Sequence, residues 1–279
     1  MIAANFDYES PSTLKEALEM LASREDAKVL AGGHSLLPAM KLRLAAPSVL
    51  VDIGRIGGLS FIREAGDKIA IGAMTTHAEV AGSDLLHRSS PLLAQVATQI
   101  GDTQVRNRGT IGGSVAQAHP AADYPAGVLA LDAQIVAQSR SGERVIPATE
   151  FFTGMFSTAL RSDEIITEIR VPKTTGEKVA YKKFHHPASG YAVVGIAVRL
   201  KQSGNKIDSA AVGITGVGPV AYRASAVEST LRGKTSAAFA EAASHAADGV
   251  EVLGDYFASS EYRQHLATVM TRRALEAAK

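Results

Sequence analysis

The hydrophobic pattern of residues 1–55 predicts a compact helix-and-strand unit. A capping box at Thr13 and Glu16 opens an apolar stripe with helical spacing. Residues 28–30 and 49–53 are short runs of β-branched and apolar residues, which are typical of buried strands. We therefore expect one amphipathic helix that packs on a small sheet.

Residues 56–176 predict a second unit in which strands and helices alternate. Strands are predicted at 59–62, 69–72, 134–137 and 164–171, and helices at 76–82, 91–100 and 124–131. The polar stretch 173–177 follows Pro172 and contains Gly176, which is typical of a domain boundary. We place that boundary at about residue 176.

The remaining part, residues 177–279, has its strands first and its helices afterwards. Strands are predicted at 179–184, 192–201 and 210–217, and helices at 223–231, 236–247 and 259–277. This order indicates a three-stranded antiparallel sheet with helices on one face. The predicted fold class is α+β, with two N-terminal α/β subdomains followed by this C-terminal domain.

Two distant stretches repeat the same pattern of paired glycines and hydroxyl residues. The first is Ala31-Gly32-Gly33-His34-Ser35, and the second, about 75 residues later, is Thr110-Ile111-Gly112-Gly113-Ser114. Glycine has no Cβ, so such loops can bring backbone amides close to an anion, and hydroxyl groups can add donors. Either loop alone is also consistent with a plain turn, but the pair predicts a cradle that holds a diphosphate from two sides.

Neither loop fits the common nucleotide fingerprints. The glycine spacing differs from that of the dinucleotide-binding fold, and the chain has no Gly-x-x-x-x-Gly-Lys-Ser/Thr run. The 279 residues carry a net charge of +1, and only 5% of them are aromatic. This composition gives no electrostatic or stacking surface for nucleic acid. We therefore expect a small-molecule ligand rather than a nucleic acid.

The absence of cysteine limits the redox chemistry of this chain. With no cysteine, it can form no disulfide and can hold no cysteine-ligated zinc or iron–sulfur cluster. His185 and His186 are adjacent on a predicted strand and point to opposite faces, so we predict no metal site there. The N-terminus lacks the pattern of a signal peptide, and no apolar run is long enough to span a bilayer, so we expect a cytoplasmic protein without integral membrane contact.

The paired glycine motifs closely resemble those of a known family of flavoproteins. Together with Val51-Asp52-Ile53 and His119-Pro120-Ala121-Ala122-Asp123, they resemble the FAD-binding motifs of the medium subunit of molybdenum hydroxylases. That family includes carbon monoxide, xanthine and aldehyde dehydrogenases. The resemblance implies noncovalent FAD in a domain of the vanillyl-alcohol-oxidase-like (PCMH) type.

The resemblance also implies partners and a role in electron transfer. A large subunit would carry molybdopterin and a small subunit the iron–sulfur clusters, and the assembly would be a dimer of heterotrimers. Electrons would pass from the clusters through FAD to NAD, a quinone or oxygen. The chemistry would belong to the flavin, so no residue of this chain is expected to be catalytic.

The cofactor contacts that the resemblance implies lie mainly in and around the two glycine loops. They are Lys28, Val29, Leu30, Ala31, Gly32, Gly33, His34, Ser35, Leu36, Gly109, Thr110, Ile111, Gly112, Gly113 and Ser114. Hydroxyl groups and backbone amides, including those of Gly112 and Gly113, would donate to the diphosphate. Ile100, Gly101 and Ile166 would form apolar shelves for the ring systems. His34 would contribute its backbone, the alternatives being a metal ligand or a covalent flavin attachment.

Four further residues are assigned by the resemblance, each with an ordinary alternative. Asp123 would bind a ribose hydroxyl, or would cap a helix that starts at Tyr124. Tyr191 would cover one face of the isoalloxazine, or would simply pack, and the preceding His185-His186-Pro187 departs from the basic residue usual in relatives. One of Lys182 and Lys183 would face the flavin and stabilise its negative charge on reduction, while the other is solvated.

Three other functions remain consistent with the sequence. The chain could be a stand-alone FAD-dependent oxidase, an accessory protein that inserts or stores FAD, or a nucleotide-binding scaffold without enzymatic activity. The absence of an obvious base near the expected flavin counts against the oxidase. The substrate of a molybdenum hydroxylase would be determined by its large subunit, so it is not encoded in this chain.

Overall fold

The computed structural model describes residues 2–279 and contains strands and helices in both halves of the chain. The strands are β1 (Asp7–Glu9), β2 (Lys28–Leu30), β3 (Val49–Asp52), β4 (Ile62–Ala65), β5 (Lys68–Gly72), β6 (Gln134–Ser139), β7 (Gly142–Pro147), β8 (Phe152–Gly154), β9 (Ser157–Thr158), β10 (Ile165–Pro172), β11 (Lys178–His185), β12 (Ala192–Ser203), β13 (Lys206–Thr215) and β14 (Tyr222–Arg223). The helices are α1 (Leu14–Ser23), α2 (Leu36–Lys41), α3 (His77–Gly82), α4 (Asp84–Ser89), α5 (Pro91–Thr98), α6 (Thr103–Arg106), α7 (Ile111–Gln117), α8 (Asp123–Ala130), α9 (Ala148–Phe151), α10 (Ser225–Leu231), α11 (Phe239–Ser244) and α12 (Ser260–Ala277).

The first sheet is parallel and has the strand order β1-β3-β2. The predicted capping box opens α1, since the side chain of Thr13 accepts from the amide of Glu16 while the Glu16 carboxylate accepts in return. The buried face of α1 packs with β3 in one apolar cluster. Strand β1 was not predicted because its three residues are mostly exposed and carry no apolar alternation.

The second sheet is antiparallel, with the order β4-β5-β10-β6-β7. Helices α3, α5, α7 and α8 bury their apolar residues against one face of it and form the main core. The first strand starts at Ile62 rather than 59, because the backbone of Phe61 is bonded to the Thr75 side chain and to the amide of Gly72. The predicted strands at 69–72, 134–137 and 164–171 are confirmed with small shifts at their ends.

The third sheet consists of three long antiparallel strands, as predicted, and a two-residue fourth strand, in the order β11-β12-β13-β14. Helices α10, α11 and α12 cover one face of it. The other face meets α8, and the contact is close enough that a Cβ on Gly213 would lie 2.1 Å from the carbonyl oxygen of Ala126. All eight residues of α8 are buried. The candidate site lies where this helix joins the second and third sheets.

The predicted C-terminal helices are present, with one change. The segment predicted as a helix over 236–247 is a 3₁₀ turn, Ser236–Ala238, followed by the short α11. Helix α12 is the longest at 18 residues and carries charged residues on its exposed side. Within residues 2–279, we find no helix with the length and apolarity needed to cross a bilayer.

His77 is a titratable side chain at the edge of the main core. It is only 5% exposed, and its ring lies 5.3 Å from the ring of Tyr124, centroid to centroid. Neither Nδ1 of His77 nor the Tyr124 hydroxyl has a hydrogen-bond partner in the described part of the chain. Burial, together with the nearby His34 and Arg106, lowers the pKa of His77 to about 4, so His77 is neutral at neutral pH.

We expect His77 to make the protein less stable in mild acid. Below a pH of about 6.5 the unfolded chain takes up a proton on this residue, whereas the folded chain does so only near pH 4. Because of His77, the free energy of unfolding should be about 2 kcal/mol lower at about pH 5 than at about pH 7.5. His77→Phe should not show this part of the decrease. Urea unfolding of both proteins at about pH 7.5 and about pH 5 measures the difference.

His265→Gln is the matched control, because His265 is exposed on α12. It should change with pH as the wild type does. An equal acid loss in the wild type and in His77→Phe would contradict the prediction.

Candidate cofactor site

The two glycine loops lie in direct contact. A Cβ added to Gly32 would lie 2.2 Å from the carbonyl oxygen of Arg108 and 2.8 Å from the Cα of Gly109. On the other side of this contact, a Cβ on Gly113 would lie 3.6 Å from the Cβ of Ala31. The predicted approach of two motifs that are distant in sequence is therefore present, and it requires glycine at position 32.

The first loop presents a series of backbone donors. Within residues 2–279, the amides of Gly32, Gly33, His34 and Ser35 have no acceptor. Gly33 has a φ of 74°, the left-handed conformation that glycine adopts without strain. Consecutive free amides around such a residue form a concave anion-binding nest. This loop therefore has the backbone geometry of a phosphate site.

The second loop uses its backbone donors inside the protein. The amide of Ile111 donates to Thr75 O (3.0 Å), that of Gly112 donates to Ala73 O (2.9 Å), and that of Gly113 donates to Thr110 Oγ1 (3.2 Å). The expectation that the Gly112 and Gly113 amides are free donors is thus wrong. The first two bonds hold the loop on the segment that follows β5, and the third lies within the loop itself.

The donors that the second loop retains are hydroxyl groups. Thr110 caps α7 with its oxygen, so its own proton is left to donate. The hydroxyls of Ser114 and of Ser35 in the first loop have no partner among the residues that the structure describes. Amides from one loop and hydroxyls from both match the donors that a diphosphate needs, so the residues fit the cofactor that the motifs imply.

Asp123 and Lys183 form a buried ion pair next to Gln99, the residue before the predicted Ile100-Gly101 shelf. Lys183 Nζ lies 2.9 Å from the Asp123 carboxylate and also donates to Gln99 O at 2.9 Å. The Tyr181 hydroxyl donates to the other carboxylate oxygen at 2.6 Å. Burial raises the pKa of Asp123 above its usual value, and the Lys183 charge and the two hydrogen bonds only partly offset this increase. Burial and the Asp123 charge both raise the pKa of Tyr181, so its hydroxyl stays protonated and donates to Asp123.

This hydrogen-bond network distinguishes between the alternatives for Asp123 and shows which of Lys182 and Lys183 points inward. Asp123 is the first residue of α8 and Ala122 is its N-cap, so the expectation that Asp123 caps this helix is wrong. Lys183 is the inward lysine, with its side chain fully buried, and Lys182 is exposed on the opposite face of β11. Because both Asp123 oxygens are engaged, a contact with ribose would have to replace one of these bonds.

Tyr191 stacks on His119, at the junction of α8 and the third sheet. The ring centroids are 4.4 Å apart and the planes differ by 15°. Phe156 contacts the same His119 ring edge-on at 5.0 Å. Burial lowers the pKa of His119, and its Nδ1 accepts from the amide of Ala121, so the ring is neutral. Tyr191 thus lies in an aromatic cluster that is suited to stacking against a planar ring.

Arg106 links the second glycine loop to the predicted ring shelf. Its Nη1 donates to Ile100 O at 3.1 Å and to Gly101 O at 3.0 Å. A Cβ on Gly190, the residue before Tyr191, would lie 3.7 Å from the Cα of Gly101. Ile100 and Gly101 therefore lie against the turn that carries Tyr191.

Other residues assigned to the site have structural surroundings of their own. The side chains of Ile111 and Ile166 lie in the main core, and Leu30 packs with Met40 and Leu50. Lys28 is exposed at the start of β2 and Val29 is half-buried on it, while Leu36 begins α2. For these positions a role in cofactor binding stays a prediction. Nδ1 of the His34 ring forms a hydrogen bond with Gly32 O at 2.9 Å.

The sequence pattern did not reveal several residues that the structure places at the site. Tyr181 was missed, although it lies two positions before Lys183 on the same face of a strand, and that alternation is a usable signal. His119 was treated only as part of a motif. Gln99 and His77 gave no signal in sequence, since their contacts join segments that are far apart along the chain.

Two family matches cover almost the whole chain. Residues 4–174 match the family described as "FAD binding domain in molybdopterin dehydrogenase". Residues 179–278 match the family described as "CO dehydrogenase flavoprotein C-terminal domain". The matches include both glycine loops in the first segment and Tyr191 in the second.

Individual proteins give the same result over their full length. The carbon monoxide dehydrogenase medium chain of Hydrogenophaga pseudoflava is 42% identical over 100% of this chain and 98% of its own. The glyceraldehyde dehydrogenase medium chain of Sulfolobus acidocaldarius is 35% identical over 99% of both. A solved carbon monoxide dehydrogenase from H. pseudoflava, lacking the Mo-pyranopterin moiety of its cofactor, superposes with a TM-score of 0.97 at 41% identity, covering 100% of this chain and 98% of that one. This chain therefore belongs to the family of FAD-binding medium subunits of the molybdenum hydroxylases.

Proposed function

We propose that this chain is the FAD-carrying electron-transfer subunit of a heterotrimeric molybdenum hydroxylase. The observation that carries the proposal is the nest of free amides at Gly32–Ser35, closed on one side by the second glycine loop. The full-length similarity to proteins named medium chains supports the assignment to a complex. FAD, when bound, would accept electrons one or two at a time and release them to an external acceptor.

The chain's own residues would bind and orient this cofactor. The first loop would hold the diphosphate through its amides, and Ser35, Thr110 and Ser114 would add hydroxyl donors. Lys183 would place a buried positive charge near the flavin, and Tyr191 would cover one face of its ring. All of the positions assigned from the sequence enter the proposal, with the donor roles of Gly112 and Gly113 replaced by close packing of the loop.

The proposed partners rest on the similarity to proteins named medium chains, and they would supply groups that this chain lacks. It has no cysteine for a cluster, and no group of three or more potential metal-ligating side chains occurs among residues 2–279. A small iron–sulfur subunit and a large molybdopterin subunit would supply the electrons. NAD, a quinone or oxygen would accept them, in a cytoplasmic dimer of heterotrimers. We propose residues 1–176 as the FAD-binding domain, in two parts divided near residue 55, and 177–279 as the C-terminal domain.

The absorbance spectrum of the purified full-length chain, before and after acid precipitation, tests the proposal. A flavin spectrum that moves to the supernatant is expected, since the cofactor is proposed to be noncovalent. A colourless protein that takes up no added FAD would contradict it. Turnover of a small substrate without partner subunits would favour a stand-alone oxidase instead.

Replacing Gly32 should weaken FAD binding. In Gly32→Ala the new methyl group meets Arg108 O and the Gly109 backbone, so the loops must separate. We expect the dissociation constant for FAD to rise about tenfold or more. The double variant Gly32→Val/Gly113→Val should retain no FAD. Titration followed by flavin fluorescence measures both effects.

Gly57→Ala is the matched control, because a Cβ at that loop glycine has no neighbour within 4 Å. It should bind FAD as the wild type does. Unchanged FAD retention in the double variant would exclude the two loops as the diphosphate site.

Removing the charge of Lys183 should make the reduction potential of bound FAD more negative. The positive charge stabilises the negative charge that a flavin gains on reduction, whereas Lys182 is exposed on the other face of β11. We therefore expect a negative shift for Lys183→Met and no shift for Lys182→Met. Spectroscopic redox titration of each variant measures the potential.

Lys183→Met also leaves the Asp123 carboxylate buried without its partner, which destabilises a protein by about 3–5 kcal/mol. The variant Asp123→Asn/Lys183→Met removes both charges together and should fold more stably than Lys183→Met. Equal potentials in the Lys182 and Lys183 variants would refute the role given to Lys183.

A further inference from the structure

Tyr191 ends a tight turn that is bonded mainly to itself. The amide of His186 donates to Tyr191 O (2.8 Å), and that of Gly190 donates back to His186 O (2.9 Å). The His186 ring accepts from two further amides inside the turn, those of Ala188 and Ser189. The turn is therefore closed by its own hydrogen bonds. The Tyr191 ring stacks on His119, and its position also depends on what holds the two ends of the turn.

Arg263 of α12 holds the end of the turn that leads into β12. Its Nη1 donates to Val193 O and to Gly216 O, both at 2.7 Å, and the residue is only 6% exposed. Next to these carbonyls, the amide of Ala192 donates to Ala121 O (3.1 Å) and the amide of Gly216 donates to Pro120 O (2.8 Å). Arg263 thus fixes the strand ends to which the segment after His119 is bonded.

The same guanidinium is linked indirectly to the other end of the turn, through Asp255 and Phe257. Its Nη2 forms an ion pair with Asp255, and the Asp255 carboxylate accepts from the amides of Phe257 (2.9 Å) and Ala258 (2.8 Å). The ring of Phe257 lies 4.4 Å from the ring of His186, centroid to centroid. This second series of contacts connects Arg263 to His186 and, through the closed turn, to Tyr191.

We propose that Arg263, acting with Asp255, is a positioning residue for Tyr191. It fixes the orientation in which the tyrosine ring meets the flavin, although it lies on the helical side of the third sheet and contacts neither Tyr191 nor the glycine loops. The planar guanidinium serves both routes at once, because one terminal nitrogen, Nη1, bonds two carbonyls and the other, Nη2, pairs with a carboxylate. A lysine could replace only one of them. The inference rests on the proposed function, because it needs Tyr191 to cover the flavin.

The experiment compares variants of the full-length chain titrated with FAD. A phenol stacked on a flavin quenches its fluorescence, so the emission of bound FAD reports the placement of Tyr191. Tyr191→Ala should raise that emission, and Arg263→Lys and Asp255→Asn should each raise it in the same direction by a smaller amount. Thermal unfolding of the same proteins measures the stability change separately.

Two choices keep the test decisive. Arg272→Lys is the control, since Arg272 is exposed on the same helix and pairs only with Glu276 in the described chain; its FAD emission should equal the wild type's. Asp255 is about half exposed, at 54% for the side chain, so Asp255→Asn is expected to fold even if Arg263→Lys does not.

The outcomes separate this inference from the proposed function. Wild-type emission from Arg263→Lys and Asp255→Asn, alongside increased emission from Tyr191→Ala, overturns the positioning role and leaves the proposed function standing. Lowered thermal stability without a change in emission does the same, since it shows a purely structural role. If Tyr191→Ala leaves the emission unchanged, or the wild type binds no FAD, the assignment of the flavin site fails and this inference fails with it.

Discussion

The close contact between Gly32 and the Arg108–Gly109 backbone is the constraint on which the rest of the site depends. At 2.2 Å from a hypothetical Cβ to the Arg108 oxygen, no other residue type fits at position 32 without moving a loop. The contact joins the first, parallel sheet to the second, antiparallel sheet. At this contact the amides of the first loop have no hydrogen-bond acceptor among residues 2–279. The second loop contributes hydroxyl groups. Two loops that look equivalent in sequence therefore have different tasks, one as the donor and the other as its support.

Electrostatics at the junction follow a second constraint, the complete burial of α8. An isolated buried carboxylate would be costly, and Asp123 is accepted there because Lys183 and Tyr181 reach it from β11. The charges come from different parts of the chain, so the ion pair also fixes how α8 meets the third sheet. His77 and His119 are kept neutral by burial nearby. The buried charges of Asp123 and Lys183 are thus paired with each other.

Local signals in the sequence were sufficient for much of the fold and for the position of the two loops. The capping box at Thr13 and Glu16 depends on residues three apart along the chain, so it was predicted correctly. The order of three strands and then helices indicated the third sheet. The glycine motifs indicated a diphosphate cradle because only glycine allows such an approach, and the resemblance then named the family.

The parts that could not be predicted depend on contacts between distant segments. Gly112 was expected to donate to a ligand, but its amide is bonded to Ala73, and no local pattern reveals that partner. Asp123 was weighed as a helix cap, whereas the helix starts one residue earlier and uses the carboxylate in the Lys183 pair instead.

The burial of α8 on every side has a consequence for how the chain can be divided. The main core includes Tyr181, Ala197 and Ala221 from beyond residue 176, together with the apolar residues of the second sheet. The two family segments meet near that residue, yet the core does not end there. Neither segment has a complete interior by itself, so a chimera that joins halves of two relatives must also carry over matching residues on both faces of this one helix.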